Sequence, residues 1–237
     1  MSETTTDTHY RTQTSIGSRK MMALSQSLSL ESQMALARDK SLSVRKLLAA
    51  NETLLVPAQL FFAASSSITL QGILAENSAL VEEAQLILAR NGERRTRIML
   101  APHPALSRSV QQVLLDDTEA AVIMSLSMSP ALTPATQLQL VSRKDSYAHT
   151  RLAANPSVTL EVQDLLVTSE LFEHFAKSFA ANPALESLAA ISKLWSDFHH
   201  EFGPRAMGVA MQAFNSHRTA EQLDDFPDEW IAKIIFD

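Results

Sequence analysis

The sequence predicts an all-α protein: a right-handed α-solenoid of about six to seven two-helix repeats of 26 residues, closed by a C-terminal helical cap. Three observations predict it. The phrase "LAANPSVTLEVQDLL" at 152–166 is echoed at Leu48, Leu74, Leu100 and Leu126, each copy 26 residues after the last. A fixed period between about 20 and 50 residues marks units too small to bury an apolar face alone, which stack on their neighbours. Single columns of that register also keep one residue type. Composition points the same way, with 6% aromatics and five glycines in 237 residues, because strands recruit β-branched and aromatic side chains while Ala, Leu and Gln favour helix.

In chain order, residues 1–18 read as a disordered Thr/Ser-rich arm that lacks the apolar middle of a signal peptide. The repeat array follows over 19–191. Its first helix carries Val44, Leu47 and Leu48 at helical spacing, and the small column Ala23, Ala49, Ala75, Ala101, Ser127 and Ala153 lets neighbouring backbones approach. The column Ser25, Asn51, Asn77, His103, Ser129 and Asn155 ends that helix with residues tolerant of left-handed backbone, and Pro104, Pro130 and Pro156 sharpen the stop. A second helix starts near Thr133, a cap, and Pro134, a first-turn proline. It carries Gln33, Gln59, Gln85, Gln111, Gln137 and Gln163, a buried ladder in which each amide satisfies backbone groups of its own or the next repeat, rather than a polar stripe facing a ligand. The register slips by one residue near 170. Residues 192–237 form the C-terminal helical cap and acidic tail, with a capping-box sequence at Thr219–Gln222 and a final helix around Trp230, Ile231, Ile234 and Ile235.

With "LARDKSLSVRKLLAAN" at 36–51 and "LAANPSV" at 152–158, the stretch Met22–Ala190 resembles the leucine-rich repeat variant family, bacterial helical solenoids related in architecture to HEAT and armadillo arrays. The unit here is slightly longer, and the cysteine cluster with which that family looks able to hold an iron-sulfur centre is missing. The resemblance therefore implies a fold and binding through an extended face, but no cofactor.

The chain has no cysteine, so disulfides and thiolate metal sites are excluded, and the cytoplasm is the expected location. Its seven histidines offer no i, i+4 pair for a metalloprotease-type site, and His199, His200 and Glu201 diverge on a helix; no metal or other cofactor is expected. Nucleophile elbow, phosphate loop and dinucleotide fingerprint are all missing from the sequence, and the acid pairs Asp116–Asp117 and Asp224–Asp225 read as solvated surface. The most suggestive polar feature is basic: Arg19, Arg45, Gln71, Arg97 and His149 share one register column that Ile123 interrupts, with Arg94, Arg95, Arg143, Lys144 and Arg151 close by. Stacked, they would form a ridge for an acidic partner despite the net charge of -6; read as structure, the arginines brace neighbouring repeats. The expected function is a non-catalytic protein-protein interaction scaffold. The alternative is a nucleic-acid binder or repair enzyme similar to the HEAT-like DNA glycosylases, disfavoured because the net charge is negative and Trp195 and Trp230 lie outside the regular repeats.

Overall fold

A computed structural model of the protein describes residues 15–185, together with 187, 189, 190, 193 and 194. The expected capping box, acidic tail and His199–His200–Glu201 run therefore lie outside the described residues, as do residues 1–14 of the arm. All the elements described are α-helices. The chain divides into two units, Met1–Ala131 and Leu132–Asp237. The first holds α1 (Ile16–Ala23), α2 (Leu30–Ala37), α3 (Leu42–Ala49), α4 (Val56–Ala63), α5 (Ile68–Ala75), α6 (Glu82–Asn91), α7 (Arg94–Leu100), α8 (Arg108–Leu115) and α9 (Ala120–Leu126). The second holds α10 (Pro134–Ser142), α11 (Ser146–Ala153), α12 (Leu160–Val167) and α13 (Phe172–Ala180). Helix α1 takes in residues 16–18 of the expected arm, because the Ser15 hydroxyl accepts from the Gly17 amide and caps it.

Within the first unit, alternate helices pack on each other: α1, α3, α5, α7 and α9 form one row and α2, α4, α6 and α8 the other. In the second unit α10 packs on α12 and α11 on α13. These contacts between successive helices fit a helical repeat. Such helices are eight or so residues long, too short to persist in water without neighbours. Burial supplies the support: Leu36, Phe62, Leu88, Leu114, Leu140 and Leu166, the closing column of the second helix, are fully enclosed, as is the small column from Ala23 to Ala153.

The polar columns hold the rows in register. Each Gln of the ladder is buried. Gln85 is representative: its Nε2 donates to the carbonyls of Leu80 and Ala105, both at 3.0 Å, and its Oε1 accepts from the Ser107 amide at 3.0 Å. Gln59 does the same with Leu54, Ala79 and Val81, and Gln137 in the second unit with Leu132, Ser157 and Thr159. The amide partners Val81, Ser107 and Thr159 are themselves the caps of α6, α8 and α12, so one glutamine fastens the start of the following second helix. The ligand-facing reading of this column is not what the geometry shows.

The asparagine column works in the opposite direction. Asn77 Nδ2 donates to the carbonyls of Ala49 and Asn51 at 2.9 and 3.0 Å, while its Oδ1 accepts from the Ala79 amide at 3.0 Å. His103 fills the role with Nε2 on the Asn77 carbonyl and Nδ1 accepting from Ala105. The left-handed geometry expected of this column does not occur; among the described residues outside glycine, only Lys144 has a positive φ, 46°. The helices that precede Pro104, Pro130 and Pro156 end at Leu100, Leu126 and Ala153, ahead of each proline. Helices α3 and α5 stop at Ala49 and Ala75 without any proline in that turn; Asn77 of the next repeat takes up the terminal Ala49 carbonyl, and after α5 the His103 ring takes up the Asn77 carbonyl two residues past the helix end. The expected cap at Thr133 is present, its hydroxyl accepting from the Thr136 amide at 3.2 Å with Pro134 opening α10. The slip near 170 is also visible: Gln163 reaches Ala184, 21 residues on rather than 20, and Asn182 reaches Asn155, 27 residues back rather than 26.

Replacing Gln85 by Ala leaves one buried and two part-buried backbone groups without their partner, and the expected loss is about 2 kcal/mol in urea unfolding. The neighbouring Gln112→Ala, on a half-buried side chain outside the ladder, is expected to cost less than about 0.5 kcal/mol. Equal losses at the two positions would remove the ladder from the account of stability.

Candidate functional site

Each helix of the first row opens with the same two-position pattern. An outward residue stands at the first helical position, and one turn later comes the column expected to form a basic ridge: Ile16 and Arg19, Leu42 and Arg45, Ile68 and Gln71, Arg94 and Arg97, Ala120 and Ile123 in the first unit, Ser146 and His149 in the second. Residues three apart on a helix share a face, so the two columns run side by side.

The second of these columns turns inward. Arg19 Nε donates to Asp39 Oδ2 at 2.6 Å, and Arg97 Nε to Asp117 Oδ2 at 2.5 Å; both acids lie 20 residues after their arginine, in the turn that precedes the next first-row helix. Arg97 also donates to the Gly92 carbonyl at 2.8 Å. Gln71, 7% exposed, instead bonds back to the carbonyls of Ala63 and Ser65 at 3.0 and 2.9 Å. His149, 2% exposed, has Nε2 on the Val141 carbonyl at 2.8 Å and packs edge-on against Phe175. Ile123 is buried. The column does not form a continuous basic ridge: Arg19, Gln71, Arg97 and His149 turn inward and spend donors on the chain's own carboxylates and carbonyls, Ile123 is apolar, and Arg45 alone keeps its Nε without a partner among the described residues.

Of the other residues expected to bind a partner, Arg94 is exposed and paired with Glu119 at 3.1 Å, while Arg95, Arg143, Lys144 and Arg151 are exposed. Arg94, Arg95 and Arg97 share the first unit with Arg45 and Gln71; Arg143, Lys144, His149 and Arg151 belong to the second.

Where Gln or His replaces the arginine, the side chain withdraws toward its own repeat and a cleft lies beside it. In the first unit the cleft measures about 490 Å³ and is lined by Ser65, Ile68, Gln71, Ile87, Asn91 and Glu93, among others. In the second it measures about 550 Å³, lined by residues that include Val141, Lys144, His149, Leu165, Ser169 and Leu171. Gln71 and His149 are 78 residues apart, three periods of 26, so the two clefts occupy one register position.

The outward column supplies apolar surface. Ile16, Leu42 and Ile68, at the start of α1, α3 and α5, are 48%, 41% and 44% exposed. Because these helices pack in sequence, the three side chains form a stripe, and Ile68 belongs both to the stripe and to the cleft. Sequence reasoning missed the stripe, although it occupies a single 26-residue column, and missed Asp39; its reading of Asp117 as solvated surface is corrected, because the side chain is largely buried and held by Arg97, a pairing visible only when columns 20 residues apart are compared.

No protein-family model, no curated protein and no solved structure matches this chain. Among the described residues no helix is long and apolar enough to cross a membrane.

Burial opposes the ionisation of Asp117, but the bond from Arg97 and those from the Glu119 and Thr118 amides outweigh it and hold its carboxyl below the ordinary Asp value. The bond to Asp117 correspondingly raises Arg97 against the cost of its own burial. A folded-state value below the unfolded one means the pair contributes stability above about pH 4 and loses it as pH falls through the lowered value. Asp117→Asn is therefore expected to remove part of the acid dependence of unfolding. At pH 7, Arg97→Met is expected to cost about 1–3 kcal/mol by leaving that carboxylate unpaired; a wild-type acid profile in Asp117→Asn would show that the pair does not stabilise the fold.

Proposed function

We propose that the chain is a right-handed helical solenoid of the leucine-rich repeat variant kind and serves as a non-catalytic scaffold that binds a protein partner. The observation that carries this reading is the stripe Ile16, Leu42 and Ile68 running into the cleft beside Gln71. Aliphatic side chains left outside in three successive repeats are surface that a partner segment can cover, with a polar-lined cleft at one end to fix its position. The stacking of first-row helices supports the fold reading, and the 26-residue phrase supports the family resemblance. A chain without cysteine suits the cytoplasm.

The partner surface is centred on the apolar stripe, and Arg19, Gln71, Arg97 and His149 of the basic column take no part in it, since their donors are already committed within the chain. Arg94 and Arg95 stand at its far end as exposed rim charges that affect association rate more than affinity.

Affinity capture with crosslinking is the test. A captured protein should crosslink to the α1–α5 row, and Leu42→Asp with Ile68→Asp should weaken its retention at least about tenfold, whereas Leu160→Asp on α12 in the second unit should not. Recovery of nucleic acid alone, released by salt and by changing Arg94 and Arg95 to Glu, would replace the scaffold with the nucleic-acid reading.

A further inference from the structure

Arg45 stands apart from its register equivalents. Arg19 and Arg97 each grip a carboxylate side-on, through Nε at 2.6 and 2.5 Å and through Nη2 at 3.5 and 3.2 Å. Each carboxylate is anchored in turn by an amide two residues on, from Ser41 at 2.8 Å or Glu119 at 2.9 Å. Twenty residues after Arg45 the chain has Ser65 instead of an acid. The Ser65 hydroxyl reproduces the anchoring half of the arrangement, accepting from the Ser67 amide at 3.1 Å, but gives Arg45 nothing. Arg45 Nε is enclosed without a hydrogen-bond partner among the described residues. The residue as a whole is partly exposed.

A buried donor with no acceptor costs free energy, and a guanidinium is built for planar, bidentate pairing with a carboxylate. Arg45 also lies one turn along α3 from Leu42, the middle residue of the apolar stripe, with Ile16 and Ile68 on the helices packed to either side. We infer that Arg45 is a carboxylate-binding site, and that its occupant is an Asp or Glu side chain of the partner segment that covers the stripe. The missing acid of the second repeat is supplied from outside, where the first and fourth repeats supply their own. This rests on the scaffold reading for the nature of the occupant. The recognised motif is an aliphatic side chain seated near Leu42 with an acidic residue beside it.

The test uses the full chain and an end-capped peptide carrying Leu and Glu residues, Leu-Glu-Leu-Glu-Glu-Leu, with the Leu-Gln-Leu-Gln-Gln-Leu peptide and inorganic phosphate as separate arms, read by the Arg45 Nε–H nuclear magnetic resonance signal. The expected result is that the Glu peptide moves that signal and the Gln peptide and phosphate do not at equal concentration. Arg45→Gln should weaken binding of the Glu peptide at least about tenfold. Ser65→Asp, which restores the internal acid, should weaken it similarly while raising the thermal midpoint. A signal indifferent to the Glu peptide, a response to phosphate as strong as to the peptide, or undiminished peptide binding by Arg45→Gln would each overturn the assignment. Should Ser65→Asp not fold, Arg45→Gln carries the test alone. A protein that captures its partner through Leu42 and Ile68 while Arg45 ignores the peptide would leave the scaffold standing and remove this inference only.

Discussion

Helices of about two turns have more unbonded backbone groups at their ends than hydrogen bonds within, so a fold made of them depends on what bonds those ends. Here side chains of the adjacent repeat do so. The glutamine ladder reaches forward to the carbonyl and amide that introduce the next second helix, and the asparagine column reaches back to the carbonyls that finish the previous first helix. Packing of the leucine columns brings the rows together; the amides decide at which register they stop. A buried amide with one bond missing costs more than the bond contributes when made, so a slipped register is penalised at every repeat at once.

The same frame gives the repeats their differences. One position in each first-row helix faces the turn 20 residues on, and the pair of residues found there sets the local surface. Arg19 with Asp39 and Arg97 with Asp117 close the position by ion pairing. Gln71 with Asn91 and His149 with Ser169 border open clefts. Arg45 with Ser65 has the cation but no acid. Function on such a framework is written in departures from the repeat, whereas stability is written in adherence to it.

This explains how far the sequence was legible. The all-helical class, the closing leucine column, the buried glutamines and the cap at Thr133 all follow from a residue type recurring at a fixed interval, which sequence displays directly. The role of the asparagine column was misread because Asn suits two ends of a helix, left-handed backbone or side-chain bonding to carbonyls, and only the position of Ala49 and Asn51 relative to Asn77 decides between them. The basic column admits two readings from sequence, a surface ridge or arginines bracing neighbouring repeats, and Arg19 and Arg97 do the latter; that Gln71 and His149 face inward depends on the rotation of each helix in its row, which seven or eight residues with apolar side chains on several faces do not specify.

The direction of the two ladders bears on how such a chain can grow. Copying one whole period preserves the bonds of both ladders, since they span 20, 22, 26 or 28 residues and so join a repeat only to its immediate neighbour. The slip near 170 shows the other permitted change. The turn joining α12 to α13 keeps the four residues found between α2 and α3 or α4 and α5, and it is α13, nine residues long against eight in α11, that takes up the extra residue, while the amides of Gln163 and Asn182 still find carbonyls one residue displaced. Lengthening is thus absorbed inside a first-row helix, where one added residue leaves both ladders able to close on the repeats before and after it.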